Sequence, residues 1–386
     1  MNLDAIRKDF PVLESCTYLD SAALSPLPMP VVHAIARKLE DRSRRGVRGF
    51  WDWLKVADAT RAKLAQLIGA TPDEIAFTQN TSEGINLVAT MLDWRSGDNA
   101  VIADLEFHPN VYPWLRLKSK GVETRIARHA AGDIGVDRIK ALCDARTRVV
   151  ALSHVAWVNG LVHPVDELGA FCRERGIYLC LDAIQSVGAM PVDVRQGVDF
   201  LSCGGHKWLL APLGTGFFYC RKELIARFDP PVVGWQSDDR PLDSQDYGFR
   251  DAFSPGPTAR RFNHGNSNMA GIVGMGAALD YVAAIGRPAV EARNRMLADR
   301  VVEGAKRLGF GVQSPQEPRR RSHIVNIVPP DLEAALAALK DANVQISMRL
   351  KGLRVSPAFY NTEDEVDRLL DVLARAAKRR TGVAAQ

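Results

Sequence analysis

The chain has 386 residues, 46% hydrophobic and 25% charged, and its 50 Lys and Arg against 45 Asp and Glu give a formal net charge of +5. That length exceeds the roughly 100–200 residues of a single domain, and the composition is ordinary for a globular protein, which excludes a disordered, collagen-like or coiled-coil chain. The positive excess is too small and too dispersed to argue for a nucleic-acid partner.

The first ten residues include Asp4, Arg7, Lys8 and Asp9, so they hold no apolar stretch of the kind a signal peptide needs. The cluster Phe50-Trp51-Asp52-Trp53 either lines a substrate entrance or packs as one face of a helix. From about residue 75 to 220, short β-rich runs alternate with helical patterns, the mark of a mostly parallel sheet covered on both faces. Strands are predicted at 74–78, 99–104, 123–127, 148–153, 177–181, 200–202 and 216–220. The near-continuous apolar run Val149, Val150, Ala151 and Leu152 is what a buried parallel strand requires. A helix over 83–92 places Ile85, Val88, Ala89 and Leu92 on one face. Another over 166–175 does the same with Leu168, Phe171 and Cys172, and Gly176 is its expected C-cap. Residues 232–257 are rich in Pro, Gly, Asp and Ser and read as irregular. Helices resume at 269–285, which with Asp280 and several glycines suits a packed helix better than a membrane span, and at 289–308. Strands at 324–328 and 353–355 follow. The last helix opens on a capping box, Thr362 with Glu365, and buries Val366, Leu369, Leu370 and Leu373.

The six cysteines, Cys16, Cys143, Cys172, Cys180, Cys203 and Cys220, form no C-x-x-C pair and no zinc spacing. The expectation is a reduced, cytoplasmic protein with no metal and no membrane partner.

Four segments carry chemistry. Asp182 stands where an apolar strand stops, at the carboxyl edge of the sheet where open α/β folds bind ligands; alone it reads equally as a helix cap. Lys207, between Gly204-Gly205-His206 and Trp208-Leu209-Leu210, keeps hydrophobic company for a lysine, and burial turns such an amine into a nucleophile. A lysine together with an acid suits pyridoxal phosphate, which needs a Schiff-base lysine and an acid to keep its ring nitrogen protonated. Asn80-Thr81-Ser82-Glu83 opens a helix directly after a strand, where hydroxyls and free N–H groups cradle a phosphate, although these are also common cap residues. His108, just beyond the 99–104 strand, is placed to cover the ring.

Taken in order, these residues resemble a known family. Thr81-Ser82-Glu83-Gly84-Ile85-Asn86-Leu87, Glu106-x-His108-x-Asn110, Ser153-His154-Val155, Asp182-Ala183-x-Gln185-Ser186-Val187-Gly188, Gly205-His206-Lys207 and Gly214-Thr215-Gly216 look like the class V aminotransferases. These are fold-type I pyridoxal-phosphate enzymes that include cysteine desulfurases, selenocysteine lyases, cysteine C–S lyases and isopenicillin N epimerase. The resemblance runs from Tyr18-Leu19-Asp20 to Tyr360-Asn361-Thr362. It implies an α/β fold: a large domain (21–262) with a mostly parallel seven-stranded sheet, a smaller α+β C-terminal domain (263–386) and an N-terminal arm (1–20). It further implies that Lys207 carries the cofactor, Asp182 pairs with the pyridine nitrogen, His108 stacks on the ring and Gln185 bonds the ring oxygen. Thr81, Ser82 and His206 would hold the phosphate, and Asn266 would reach the partner's phosphate across a homodimer with shared active sites. Arg354 would bind the α-carboxylate of an amino acid substrate, its fork suiting a bidentate pair.

The chain also departs from the family. Residues 344–352, which precede Arg354, hold no cysteine, whereas a persulfide mechanism needs a thiolate close to the substrate sulfur. Where desulfurases have an Asn against the ring, this chain has Trp157, followed by Asn159; both are assigned to substrate binding. Where relatives put a hydroxyl three residues before the lysine, it has Gly204. The expectation drawn from these differences is a C–S (β-elimination) lyase or an epimerase-like enzyme and not a persulfide-forming desulfurase. The alternative is an aminotransferase acting in specialised metabolism.

Overall fold

The apolar runs between residues 75 and 220 all become strands of one seven-stranded sheet. The computed structural model describes residues 1–240, 249 and 251–383. In chain order the strands are β1 (Thr17–Tyr18), β2 (Ile75–Thr78), β3 (Asn99–Ala103), β4 (Glu123–Ala127), β5 (Thr147–Ser153), β6 (Tyr178–Asp182), β7 (Phe200–Gly204) and β8 (Gly216–Cys220), followed by β9 (Gly311–Val312), β10 (Val325–Val328), β11 (Val344–Gln345), β12 (Ser347–Arg349) and β13 (Gly352–Val355). The large sheet has the order β2-β8-β7-β6-β5-β3-β4. Its pairs β3·β4, β3·β5, β5·β6 and β6·β7 are parallel, and β8 runs against both of its neighbours. The carboxyl ends of β2, β3, β5, β6 and β7 therefore meet along one edge, where a ligand site is expected.

The continuous apolar character of β5 follows from burial on both faces. Val150 and Leu152 enter one hydrophobic cluster while Val149 and Ala151 enter another, the alternation that a pleated strand imposes. Each such fully buried aliphatic side chain contributes about 1.5–3 kcal/mol. The helix Thr81–Met91 lies on this sheet with its first turn at the carboxyl edge. A Cβ on Gly84 would stand 2.3 Å from Ser202 Oγ on β7, so only glycine lets this helix approach closely enough to present Thr81 to the site.

A second sheet, β12-β13-β10-β9, is antiparallel. It packs its own apolar cluster with the helices Arg287–Arg307, Leu332–Asp341 and Glu363–Val383. The chain start joins this region, because β1 pairs in parallel with β11 and Asp20 bridges to Ser356.

Two long helices, Met29–Arg45 and Phe50–Ile68, were not among the predicted elements. The first carries Val31, Ile35 and Leu39 at helical spacing, a period that the reading from sequence passed over, although only Val31 is buried. The Phe50–Trp53 aromatics fulfil neither expectation cleanly. Trp51 is 46% exposed, while Trp53 donates to Asp41 Oδ2 at 3.2 Å under the ammonium of Lys38, 4.9 Å above its ring. Of the irregular 232–257 segment, residues 241–248 and 250 lie outside the described residues. No single helix among the described residues is long and apolar enough to cross a membrane.

Candidate active site

Strand β7 ends at Gly204 and the chain turns sharply into Lys207. Gly205 donates to Thr215 O at 2.7 Å and accepts from Ala211 N at 2.9 Å. A Cβ on Gly205 would meet Ala211 Cβ and Met275 Cε at 2.8 Å, so the turn needs glycine there. The turn buries Lys207 to 9% exposure, and that burial lowers its pKa to about 8 against the opposing pull of Asp182. Asp182 closes β6 at 3% exposure. Burial raises its pKa to about 6, although Ile184 N donates to Oδ1 at 3.0 Å and Lys207 pulls the other way. The two side chains feel each other's charge yet form no ion pair among the described residues. A gap therefore separates a nucleophilic amine from a buried acid.

Thr81 and Ser82 begin the Thr81–Met91 helix, with Asn80 as its cap, accepting from Glu83 N at 3.0 Å. Thr81 Oγ1 also accepts from Gly204 N at 2.9 Å, which ties the helix start to the strand that delivers Lys207. Burial, aided by the Lys207 charge, lowers the His206 pKa to about 4, so its ring is neutral at pH 7. This donor set fits pyridoxal phosphate. Lys207 could hold the aldehyde carbon and Asp182 the ring nitrogen, while Thr81, Ser82, His206 and the free first-turn N–H groups could take the phosphate.

Not every expected residue converges there. His108 is exposed and stacks on Tyr112 (5.0 Å, 14°). The ring centroid of its neighbour Phe107 lies 6.0 Å from Lys207 Nζ. Glu106 is buried and accepts from Ser153 N (2.8 Å), Ser153 Oγ (2.5 Å) and Asn110 Nδ2 (2.9 Å). That anchor fixes the start of the 3₁₀ turn His108–Asn110. The burial of Glu106 lifts its pKa to about 7, and Asp182 adds to the rise. Asn159 is fully buried. Its Nδ2 donates to Gly132 O (2.7 Å) and Gln313 O (3.2 Å), and its Oδ1 accepts from Leu161 N, so it braces backbone. Gln185 donates to Ala22 O at 3.0 Å and accepts from Trp208 Nε1 at 2.9 Å, which leaves one Nε2 hydrogen for a ligand. Asn266 lines a cavity of about 360 Å³ with Thr78, Gln79, Glu83 and Thr215.

Arg354 lies on β13 at 1% exposure. Its Nη2 meets Asp20 Oδ1 and its Nη1 meets the Trp157 carbonyl, both at 3.0 Å. Asp20 was missed as a site residue; its place in Tyr18-Leu19-Asp20 was the only signal. Trp157 packs against Phe107 with ring centroids 4.9 Å apart, so Lys207, Phe107, Trp157 and Arg354 form a continuous wall. None of the six cysteines joins it as a reactive thiol. Cys203 is fully buried behind Lys207 with its Sγ on Ala183 O and Gly204 O, and burial raises the pKa of all six thiols.

Comparison with known proteins matches residues 17–369 to the family model "Aminotransferase class-V". A "Probable cysteine desulfurase" of Methanothermobacter thermautotrophicus is 32% identical, over 98% of both chains. A "Probable cysteine desulfurase 2" of Mycobacterium leprae is 34% identical, over 97% of both. An apo structure of cysteine desulfurase from Thermococcus onnurineus superposes with a TM-score of 0.88 at 29% identity, covering 97% of this chain and 98% of that one. These relatives overturn the expectation of an enzyme outside the desulfurase group. That expectation rested on one missing thiol in a short loop, whereas the similarity extends over nearly the whole chain.

Proposed function

The chain belongs to the class-V aminotransferase family of pyridoxal-phosphate enzymes, and from that premise we propose that it cleaves the Cβ–S bond of L-cysteine, leaving L-alanine. The observation that carries this reading is the buried Lys207–Asp182 arrangement facing Arg354 across one aromatic wall. When bound, the cofactor supplies an electron sink that acidifies the substrate Cα–H. Lys207 Nζ is the base for that proton. Burial lowers the Lys207 pKa to about 8, so a far larger share of this amine is neutral near pH 7.5 than of an ordinary lysine. Asp182, buried and held by Ile184 N, keeps a proton on the ring nitrogen. Phe107 and Trp157 shield the reacting face from water, and Arg354 orients the carboxylate.

The sulfur needs a thiol to receive it. Residues 344–352 carry no cysteine and all six thiols are buried or half-buried with raised pKa values. The acceptor is therefore an external thiol, and the balanced reaction is cysteine plus RSH giving alanine plus RSSH. Incubation of the holoenzyme with L-cysteine is expected to yield alanine in step with sulfide, at a rate that rises with added dithiothreitol. Pyruvate and ammonia in place of alanine would reject the reading.

The functional unit is read as a homodimer with shared sites, in the reducing setting that six unpaired cysteines suit. Support comes from residues 266–268, which lie between the Thr78–Thr215 cavity and a second one of about 370 Å³ lined by Lys38, Phe50 and Trp53. Light scattering should return twice the 42.4 kDa chain mass; a monomer with full cofactor occupancy rules the dimer out.

A further inference from the structure

Gln185, expected from sequence at the cofactor's ring oxygen, is 2% exposed, and two bonds already decide which way its amide points. Its Nε2 donates to Ala22 O at 3.0 Å and its Oε1 accepts from Trp208 Nε1 at 2.9 Å. A peptide carbonyl can only accept and an indole N–H can only donate. Exchanging the two ends of the amide would set oxygen against oxygen and N–H against N–H inside the protein, where an unmet polar group is costly. The amide so held keeps one free Nε2 hydrogen, and what it offers a ligand is therefore a donor.

The indole that sets this orientation is itself tightly held. Trp208 directly follows Lys207, is 4% exposed and shares a hydrophobic cluster with Ala189, Ala278 and Val282. His323, also buried, meets the indole edge-on with ring centroids 4.1 Å apart at 69°. The turn that carries both Lys207 and Trp208 closes where Leu210 N donates to Lys207 O at 3.0 Å. Leu210 there adopts a φ of +53°, a conformation that costs a bulky residue energy and persists only where the surrounding packing imposes it. The Trp208–Gln185 bond links this turn, through side chains, to the segment that follows Asp182.

We propose that Trp208 is a positioning residue of the cofactor site, whose indole N–H holds the Gln185 amide so that its free Nε2 hydrogen meets the cofactor's ring oxygen. This rests on the reading that pyridoxal phosphate is joined to Lys207, and it adds to that site a residue that acts through Gln185. The test needs no turnover. An N–H on the ring oxygen draws negative charge away from the proton on the cofactor-linked Lys207 nitrogen, so that proton leaves at lower pH, and losing the bond raises the midpoint of the colour change. The visible absorbance of the holoenzyme is titrated with pH in the parent, Gln185→Leu, Trp208→Phe and the double variant. Gln185→Leu is expected to move the midpoint up by about one pH unit. Trp208→Phe should move it up by part of that, and the double variant no further than Gln185→Leu alone, because the indole then has no amide to hold. Trp208→Leu, which suits the same apolar cluster and also lacks the donor, repeats the measurement if phenylalanine is not tolerated. A merely structural role would lower the melting temperature and leave the midpoint in place. A midpoint unmoved in the Trp208 variants, or a Trp208→Phe shift that persists undiminished in the Gln185→Leu background, overturns the proposal. The reaction assignment is decided separately, by the products formed from L-cysteine.

Discussion

Lys207→Ala is expected to lower turnover of L-cysteine by at least about 10⁴-fold, since it removes both the cofactor's covalent anchor and the base that moves the Cα proton. The loss should not come from unfolding. Lys207 is 9% exposed and its amine makes no hydrogen bond or ion pair among the described residues, so removing that amine relieves a desolvated group rather than orphaning a partner. The melting temperature of the cofactor-free protein should therefore hold or rise. The phosphate cradle formed by Thr81, Ser82 and His206 remains in the variant, so cofactor should still bind, though reversibly. Borohydride treatment is expected to fix cofactor to the parent chain and not to the variant. A variant that turns over cysteine at the parental rate, or that borohydride labels as well as the parent, would remove Lys207 from its assigned role.

What could be read from sequence divides by the range of the interactions involved. The strands of the large sheet were visible because burial on both faces demands unbroken apolar runs, as in Val149–Leu152, and that demand is local. Asp182 and Lys207 were visible because an acid at a strand end and a lysine among apolar residues are each locally unusual. The aromatic wall was not, because Phe107 meets Trp157 from a distant part of the chain. Asn159 looked free to meet a substrate because its carbonyl partner at Gln313 lies 154 positions along the chain. The pairing of Arg354 with Asp20 spans 334 positions and has no local trace. The misjudged reaction class has a different origin. One short loop was weighed against a frame of buried charges that decides whether the Cβ–S bond can break at all.

Arg354→Ala is expected to have two separable effects, and the Asp20 pair explains both. Removing one partner of a buried ion pair leaves the other uncompensated, which costs about 3–5 kcal/mol. Here Asp20 would keep only the Ser347 hydroxyl as a side-chain partner. The same stranded carboxylate then faces the site where the substrate carboxylate must bind. The KM for cysteine should rise by about 10²- to 10³-fold, partly from lost hydrogen bonds and partly from repulsion by Asp20. A double-mutant cycle divides these contributions. In Asp20→Ala/Arg354→Ala the repulsion is gone, so both stability and KM should recover part of what the single variant loses. Denaturant unfolding and steady-state kinetics measure the two recoveries independently. If the double variant is as unstable as Arg354→Ala and its KM is no lower, then Asp20 does not govern the charge of this site, and Arg354 must meet the substrate with its own charge unspent.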